Sequence, residues 1–299
     1  MFLALDTVTS NQISLKTLVP ISSQAAGEEG SRMGIQAGEQ IRLGELLHGM
    51  AISSGNDASY AVAEFLAPTR SAFIERMNQK ARALGMSQSH FETPNGLPAP
   101  NQLTTARDML KLANAYLRAY PWTLEFFHNQ KFLKHGQYVS WNRNPLLGQY
   151  PGADGLKTGW VRASGYNLIF TAERAKRRLL GVILGGFSAE ARGIEACRLL
   201  DAGFLVCTKR ERSVDEALAH LPFELYHLDM RKGAMEAISL YGYVSSGKSG
   251  KRHAAAKRVQ TKKTRETRVP LQKTKKTKAS KNMQPPKAKP RAVAKKKTR

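Results

Sequence analysis

Two short stretches put chemically capable side chains side by side. Ser54-Gly55-Asn56 lies in ISSGNDASY (52–60), where one apolar stretch at helical spacing, Leu43 to Ala51, breaks off and another, Ala58 to Leu66, begins. About a hundred residues later, Lys157-Thr158-Gly159 lies in GADGLKTGW (152–160), just ahead of a strand-rich block. A hydroxyl and a carboxamide at such a junction can pass a proton or grip a carbonyl. An ammonium, a hydroxyl and a glycine backbone open to close approach can hold a small carboxylate by charge and hydrogen bond. Strict strand alternation puts Lys157 and Gly159 on one face and Thr158 on the other. A twist or bulge near Gly159 would bring the Thr158 hydroxyl into the same groove. Each stretch also has an ordinary reading: Ser and Asn form turns, Asn56 or Asp57 can cap the helix that follows, and K-T-G can be a strand-entry turn. Their order and setting distinguish them, an S-x-N between two apolar helices followed by a K-T-G entering a β block.

The elements that must position these residues follow from periodicity. Residues 1–10 read as a short apolar helix or strand, and 11–42 as loops and short strands with turns around Gly27–Gly30 and at AGEQ. Thr69 or Ser71 caps a helix that presents Phe73, Ile74, Met77, Ala81 and Leu84 on one face, and Gly85 is placed to end it. Thr105 opens another, with Asp108 completing a capping-box pattern, an apolar stripe of Met109, Leu112, Ala113 and Tyr116, and Pro121 as the stop. After Trp141 the period shifts toward two. YNLIFTAER (166–174) and RRLLGVILGGF (177–187), split by a charged turn, predict adjacent antiparallel strands. A helix over roughly Ala189 to Leu200 packs back on them. This is an α/β (α+β) pattern, a helical layer against an antiparallel sheet. Residues 208–247 hold short apolar pieces that read as strands or a docked linker.

Charge divides the chain. Of 47 Lys and Arg and 23 Asp and Glu, residues 248–299 hold 21 basic residues and one acid, leaving 26 basic against 22 acidic in 1–247. The body is ordinary, and the tail, nearly free of large apolar residues, predicts disorder. Its charge suits any polyanion, whether nucleic acid, anionic lipid or acidic wall polymer. The tail has no aromatic residue to stack on bases, which weighs against a nucleic-acid-binding protein. No apolar run approaches the length of a membrane span, and MFLALDTVTSNQ lacks the basic start and cleavage site of a signal peptide. Cys197 and Cys207 show no C-x-x-C metal spacing. Two buried thiols, one on a helix and one on a strand, are favoured over a disulfide.

S-x-x-K, S-D-N and K-T-G form the signature set of the penicillin-recognising enzymes. Together, SGNDASYAVAE, HFETPNGL (90–97), TTARDML (104–110), GADGLKTGW and ARGIEACRLLDAGF (191–204) resemble the serine D-alanyl-D-alanine carboxypeptidases, the low-molecular-mass penicillin-binding proteins, over about residues 1–207. The resemblance implies a β-lactamase/transpeptidase-like domain over 1–207, a connector or small β-containing segment over 208–247 and a basic tail over 248–299. It implies an enzyme of the periplasm or cell envelope that removes the terminal D-alanine of peptidoglycan pentapeptides, needs no cofactor or metal, and is acylated by β-lactams. Ser54 would relay a proton to the leaving amine, Asn56 hold the peptide carbonyl, and Lys157 sharpen the acidity of Ser54. Lys157, Thr158 and Gly159 would bind the carboxylate, assisted by Arg192, and the tail would attach to an anionic envelope surface.

One departure stands out: the S-x-x-K that carries the family's nucleophile lies upstream of the region resembling MFLALDTV. The single match here, Ser245-Ser246-Gly247-Lys248, sits at the edge of the tail. The expectation is a start placed downstream of the true one; an inactive peptidoglycan-binding remnant is the alternative. A class A β-lactamase is a third reading, disfavoured by Gly55 where that family carries aspartate and by the lack of an acidic loop for deacylation.

Overall fold

The structure, a computed structural model, describes residues 1–129, 131–135 and 137–230. The start of the chain forms a helix, α1 (Phe2–Thr9). The loop-rich stretch after it contains β1 (Leu18–Pro20), the short α2 (Ser23–Ala26) and β2 (Gln40–Arg42), with β1 and β2 antiparallel. The two apolar stretches flanking Ser54 are α3 (Leu43–Ile52) and α4 (Asn56–Leu66). Thr69 is the cap of α5 (Arg70–Ala83), its hydroxyl accepting from the Ala72 amide at 3.1 Å. Gly85 follows with φ +69°, the left-handed backbone that ends a helix cheaply only at glycine.

Helix α6 (Ala106–Ala119) also begins as expected, with the Thr105 hydroxyl accepting from the Asp108 amide at 3.2 Å. The capping box is half made, however. The Asp108 carboxylate turns away from Thr105 and accepts from the Gln88 amide at 2.8 Å, the Ser89 hydroxyl at 3.0 Å and the Lys111 ammonium at 3.0 Å. A tertiary contact has won over the local cap, tying the loop after α5 to the start of α6.

Pro121 ends α6 in a single 3-10 turn, and α7 (Leu124–His128) follows. A hairpin of β3 (Lys131–Lys134) and β4 (Gln137–Trp141) comes next, then a sheet of β5 (Ala153–Val161), β6 (Gly165–Arg174) and β7 (Arg177–Gly186) in that order, all antiparallel. Helix α8 runs Ala189–Cys207, farther than the periodicity indicated, because LDAGFLVC carries the helical pattern on. Both cysteines therefore lie on one helix, Cys197 buried and Cys207 exposed, which corrects the expected helix-and-strand pair. Ten residues of helix separate them by about 15 Å, too far for a disulfide.

The sheet is a middle layer. Leu168, Phe170 and Ala172 of β6 pack with Ile194, Cys197, Leu200 and Phe204 of α8. Ile169 and Leu180 pack the other way, on the core of α1, α3, α4, α6 and α7. The period of two thus feeds two cores, and burying a side chain such as Phe170 contributes roughly 1.5–3 kcal/mol. Gly181 faces Phe170 across the strand pair, and a Cβ there would lie 2.2 Å from the ring. Beyond α8 the described chain forms α9 (Val214–Ala219) and a 3-10 turn at Phe223–Leu225 rather than strands. Leu221, Tyr226 and Leu228 enter the α8 core, and the Tyr226 and Tyr150 hydroxyls both donate to Asp201, at 3.0 and 2.7 Å. The remainder of the expected connector, 231–247, and the basic tail, 248–299, lie outside the described residues.

Candidate active site

The junction of α3 and α4 is a tight, costly turn. Ser54 has φ +57°, left-handed for a residue with a Cβ, a conformation that costs about 1 kcal/mol. Several contacts hold it there. The Ser53 amide donates to the Gly49 carbonyl at 3.0 Å. The Ser53 hydroxyl, in a residue 3% exposed, lies 2.6 Å from the Ser140 hydroxyl on β4. Just past the turn, the fully buried Asp57 carboxylate accepts from the amides of Met33, Gly34 and Ile35 at 3.0, 2.9 and 3.2 Å, and from its neighbour Ala58 at 2.9 Å. Asp57 is thus not the cap of α4. It fastens the 33–35 segment to the start of that helix, and a Cβ on Gly55 would crowd it at 2.8 Å.

Strand β5 brings Lys157 to this turn. The Lys157 ammonium donates to the Ser54 hydroxyl at 2.9 Å and to the Thr158 carbonyl at 2.7 Å. Withdrawal from water, reinforced by the cations Arg143 and Arg192, lowers its pKa to about 8. The amine can therefore exchange its proton near neutral pH. Lys157 pairs with Ile169 on β6, Thr158 with Leu168 and Gly159 with Asn167. The register shift in this pair falls between Ala153 and Gly155, not near Gly159 as anticipated. Thr158 is half-buried and Gly159 exposed, and the Thr158 hydroxyl makes no hydrogen bond among the described residues.

Arg192, in the first turn of α8, is 4% exposed. Its Nη1 donates to the Asn167 carbonyl at 3.1 Å, its guanidinium lies 5.9 Å from the Tyr166 ring centroid, and its Nε is buried with no partner among the described residues. Burial pushes its pKa down to about 10. Asn167 is the cross-strand partner of Gly159, so Arg192 reaches the K-T-G strand through it. Asn56 is partly engaged within the protein. It is buried at 6% exposure, with its amide on the Ser31 carbonyl at 2.8 Å and its Nδ2 on the Glu29 carbonyl at 2.6 Å, so one of its two side-chain donors is already spent within the protein.

Arg143 escaped the sequence reading. It stands in N-R-N, where Asn142 donates to the Phe127 and Asn129 carbonyls at 2.8 and 3.1 Å and Asn144 to the Gly155 carbonyl at 3.1 Å. The two asparagines clamp the chain beside β5 and present the guanidinium, which donates to the Ser31 hydroxyl at 3.2 Å. Two turn formers flanking an arginine just after a strand were the available signal. Lys157, Arg143 and Arg192 form no ion pair among the described residues. The site is therefore an uncompensated positive field, suited to an anionic ligand.

Comparison with known proteins agrees with this chemistry. Residues 1–188 match the family described as Peptidase S11, D-alanyl-D-alanine carboxypeptidase. The D-alanyl-D-alanine carboxypeptidase DacF of Bacillus subtilis is 32% identical over 209 residues, covering 68% of this chain and 53% of that protein. DacA of Escherichia coli is 36% identical over 175 residues, covering 58% of this chain and 43% of that one. The chain spans about half the length of the curated relatives it matches. Among solved structures, penicillin binding protein 5 of Haemophilus influenzae superposes with a TM-score of 0.64 at 30% identity, over 68% of this chain and 61% of that one. Penicillin-binding protein D2 of Listeria monocytogenes, in a cefotaxime-bound form, gives 0.62 at 28% identity, over 68% of this chain and 83% of that one.

Proposed function

The chain belongs to the D-alanyl-D-alanine carboxypeptidase family, and from that premise we propose that its described residues supply the proton-relay and carboxylate-binding part of a serine acyl-enzyme site. The substrate is a peptidoglycan pentapeptide ending in D-Ala-D-Ala, and β-lactams are its mimics. The nucleophile belongs to an S-x-x-K segment, which does not occur among the described residues. Its hydroxyl gives its proton to the lysine of that segment and attacks the penultimate carbonyl, the C–N bond breaks, and D-alanine leaves as an amine that needs a proton. Ser54 gives that proton from Oγ, the Lys157 ammonium restores it across their 2.9 Å hydrogen bond, and the proton taken up by the lysine of the S-x-x-K segment replaces the one Lys157 gives. Water then hydrolyses the ester. Thr158 Oγ, the Gly159 backbone and Arg192 take the terminal carboxylate, and the remaining Asn56 side-chain N–H holds the peptide carbonyl. The observation that carries this reading is the Ser54–Lys157 contact, made by an amine whose pKa is held to about 8.

The same reading places the protein in the periplasm or cell envelope, with the basic residues of 248–299 drawn to an anionic surface. Binding to anionic vesicles that weakens as salt screens exposed charge supports that role, and tighter binding to DNA or RNA of equal charge at physiological salt sinks it. The catalytic proposal is tested with a fluorescent penicillin on two proteins. One is the 299-residue chain; the other is extended at its N-terminus with an S-x-x-K segment, from the in-frame upstream coding sequence or from the aligned part of the Bacillus subtilis relative. Covalent labelling of the extended protein, with D-alanine released from a D-Ala-D-Ala peptide, is the expected result. A folded, extended protein that does neither overturns the proposal in favour of a peptidoglycan-binding remnant.

A further inference from the structure

Ser54 keeps an unfavourable backbone conformation, and the contacts that hold it form a closed circuit. From the turn, the Ser53 hydroxyl meets Ser140 on β4 at 2.6 Å. The hairpin that carries Ser140 is fastened in turn: the Lys134 ammonium, at the end of β3, donates to the Gly34 carbonyl at 2.7 Å and to the Glu39 carboxylate at 2.9 and 3.1 Å. Gly34 belongs to the segment whose amides the Asp57 carboxylate holds, and Asp57 is two residues past Gly55. The circuit returns to the turn it left. Phe132 of β3, fully buried against the His48 ring of α3, anchors the hairpin in the core.

We propose that Ser140 is a positioning residue: through Ser53 it holds the Ser54 turn so that the Ser54 hydroxyl stays on the Lys157 ammonium. Three observations favour this over simple packing. The Ser53 hydroxyl is buried, so losing its partner leaves a polar group unpaired. It adjoins the one residue of the turn with a left-handed backbone, the point from which the turn relaxes if released. Ser140 lies 87 residues from Ser53 in sequence, so the bond ties the turn to a different element instead of closing a local loop. This inference rests on the reading of Ser54 as a proton relay, and its test separates the two.

Two readouts are needed. In the extended protein carrying S-x-x-K, penicillin acylation is resolved into a binding constant and a chemical rate for Ser140→Ala, Ser53→Ala, the double variant and Ser140→Thr. The expected result is a chemical rate lowered between about 10- and 100-fold in Ser140→Ala, the range for a displaced catalytic group, with the binding constant unchanged. Ser53→Ala should match it, the double variant should be no worse than either single, and Ser140→Thr, which keeps the hydroxyl, should restore the rate. In the 299-residue chain, which needs no catalysis, the Lys157 amine is titrated by NMR of its 13C-methylated form, assigned by difference from Lys157→Arg. In Ser140→Ala its midpoint should fall further below about 8, because the ammonium loses an oxygen acceptor. Wild-type acylation together with an unmoved midpoint overturns the proposal, as does a folded Ser140→Thr that behaves like Ser140→Ala. Should Ser140→Ala not fold, Ser53→Ala breaks the same bond from the other side and is judged by the same outcomes. Should even the unsubstituted extended protein fail to acylate, the catalytic reading falls and the Lys157 midpoint alone decides the positioning claim.

Discussion

The two halves of the site meet at one hydrogen bond but are held in opposite ways. The Ser54 turn carries its cost in the backbone, a left-handed serine between two helices, and is offset by the four amides on Asp57 and by the Ser53–Ser140 pair. The Lys157 strand has regular pairing with β6 through Val161, and its cost is electrostatic: a cation withdrawn from water beside two others, with no carboxylate to answer it among the described residues. A strained turn stays in place because its surroundings over-determine it. A desolvated cation stays in place because the sheet cannot form without carrying it along, and an anionic ligand is what relieves it.

That contrast predicts different penalties in function and stability. The largest effect is expected for Lys157→Ala in the extended protein, where the chemical rate of penicillin acylation should drop on the order of 10²- to 10⁴-fold, as for loss of a proton-transfer group. Its thermal midpoint should hold or rise, because an unpaired cation has gone. A large fall in thermal midpoint would mean that the strand half is scaffold as well as chemistry. Next comes Asp57→Ala, which leaves buried amides without an acceptor and should destabilise the chain on the order of 3 kcal/mol in urea denaturation. A loss under about 1 kcal/mol would remove Asp57 from the scaffold of the turn.

Comparable in size is a pH effect confined to the strand half. The Lys157 pKa is lowered on folding from 10.5 to about 8, so between those values the unfolded chain binds more protons than the folded one. Stability relative to Lys157→Met should therefore rise with pH across that window, by at most about 1.4 kcal/mol per unit, and be flat below it. A difference that falls with rising pH contradicts the lowered pKa. The smallest effect belongs to the turn: Ser54→Gly relieves the left-handed backbone and should stabilise by about 1 kcal/mol while slowing acylation through loss of the relay. Unchanged or lower stability would show that φ +57° at Ser54 carries no strain.

Much of the scaffold was readable because its signals are local. Helical apolar spacing around Ser54, the Thr69 and Thr105 caps and the charged turn between β6 and β7 each depend on residues within a few positions of one another. The S-x-N and K-T-G stretches were readable as motifs, and their contact follows from the family's arrangement. What escaped depends on distant partners. Asp57 reads as a candidate cap of α4, yet its main partners lie in 33–35. Asp108 reads as half of a capping box, yet it answers to Gln88 and Ser89. Ser140 has nothing near it in sequence that points to Ser53, and Arg143 has only its flanking asparagines, which do not point to Lys157. Asn56 reads as a residue for the substrate's carbonyl, and the hold of the Glu29 carbonyl on one of its N–H groups is something no spacing could reveal.

The separation of Ser54 and Lys157 along the chain also bears on how the molecule comes to exist. Their hydrogen bond spans 103 residues, and closing a loop of that length costs about 4 kcal/mol of chain entropy by the logarithmic rule. No contact near in sequence recovers that cost, so the pair can form only after α3, α4 and the three-stranded sheet have been brought together by their shared core. Contacts of this range slow folding and come late in it. A nascent or partly folded chain has the helices or the strands but not the pair, and is chemically silent until the fold closes. A titration of the Lys157 amine during refolding would accordingly report completion of the fold, lagging any signal from the helices alone.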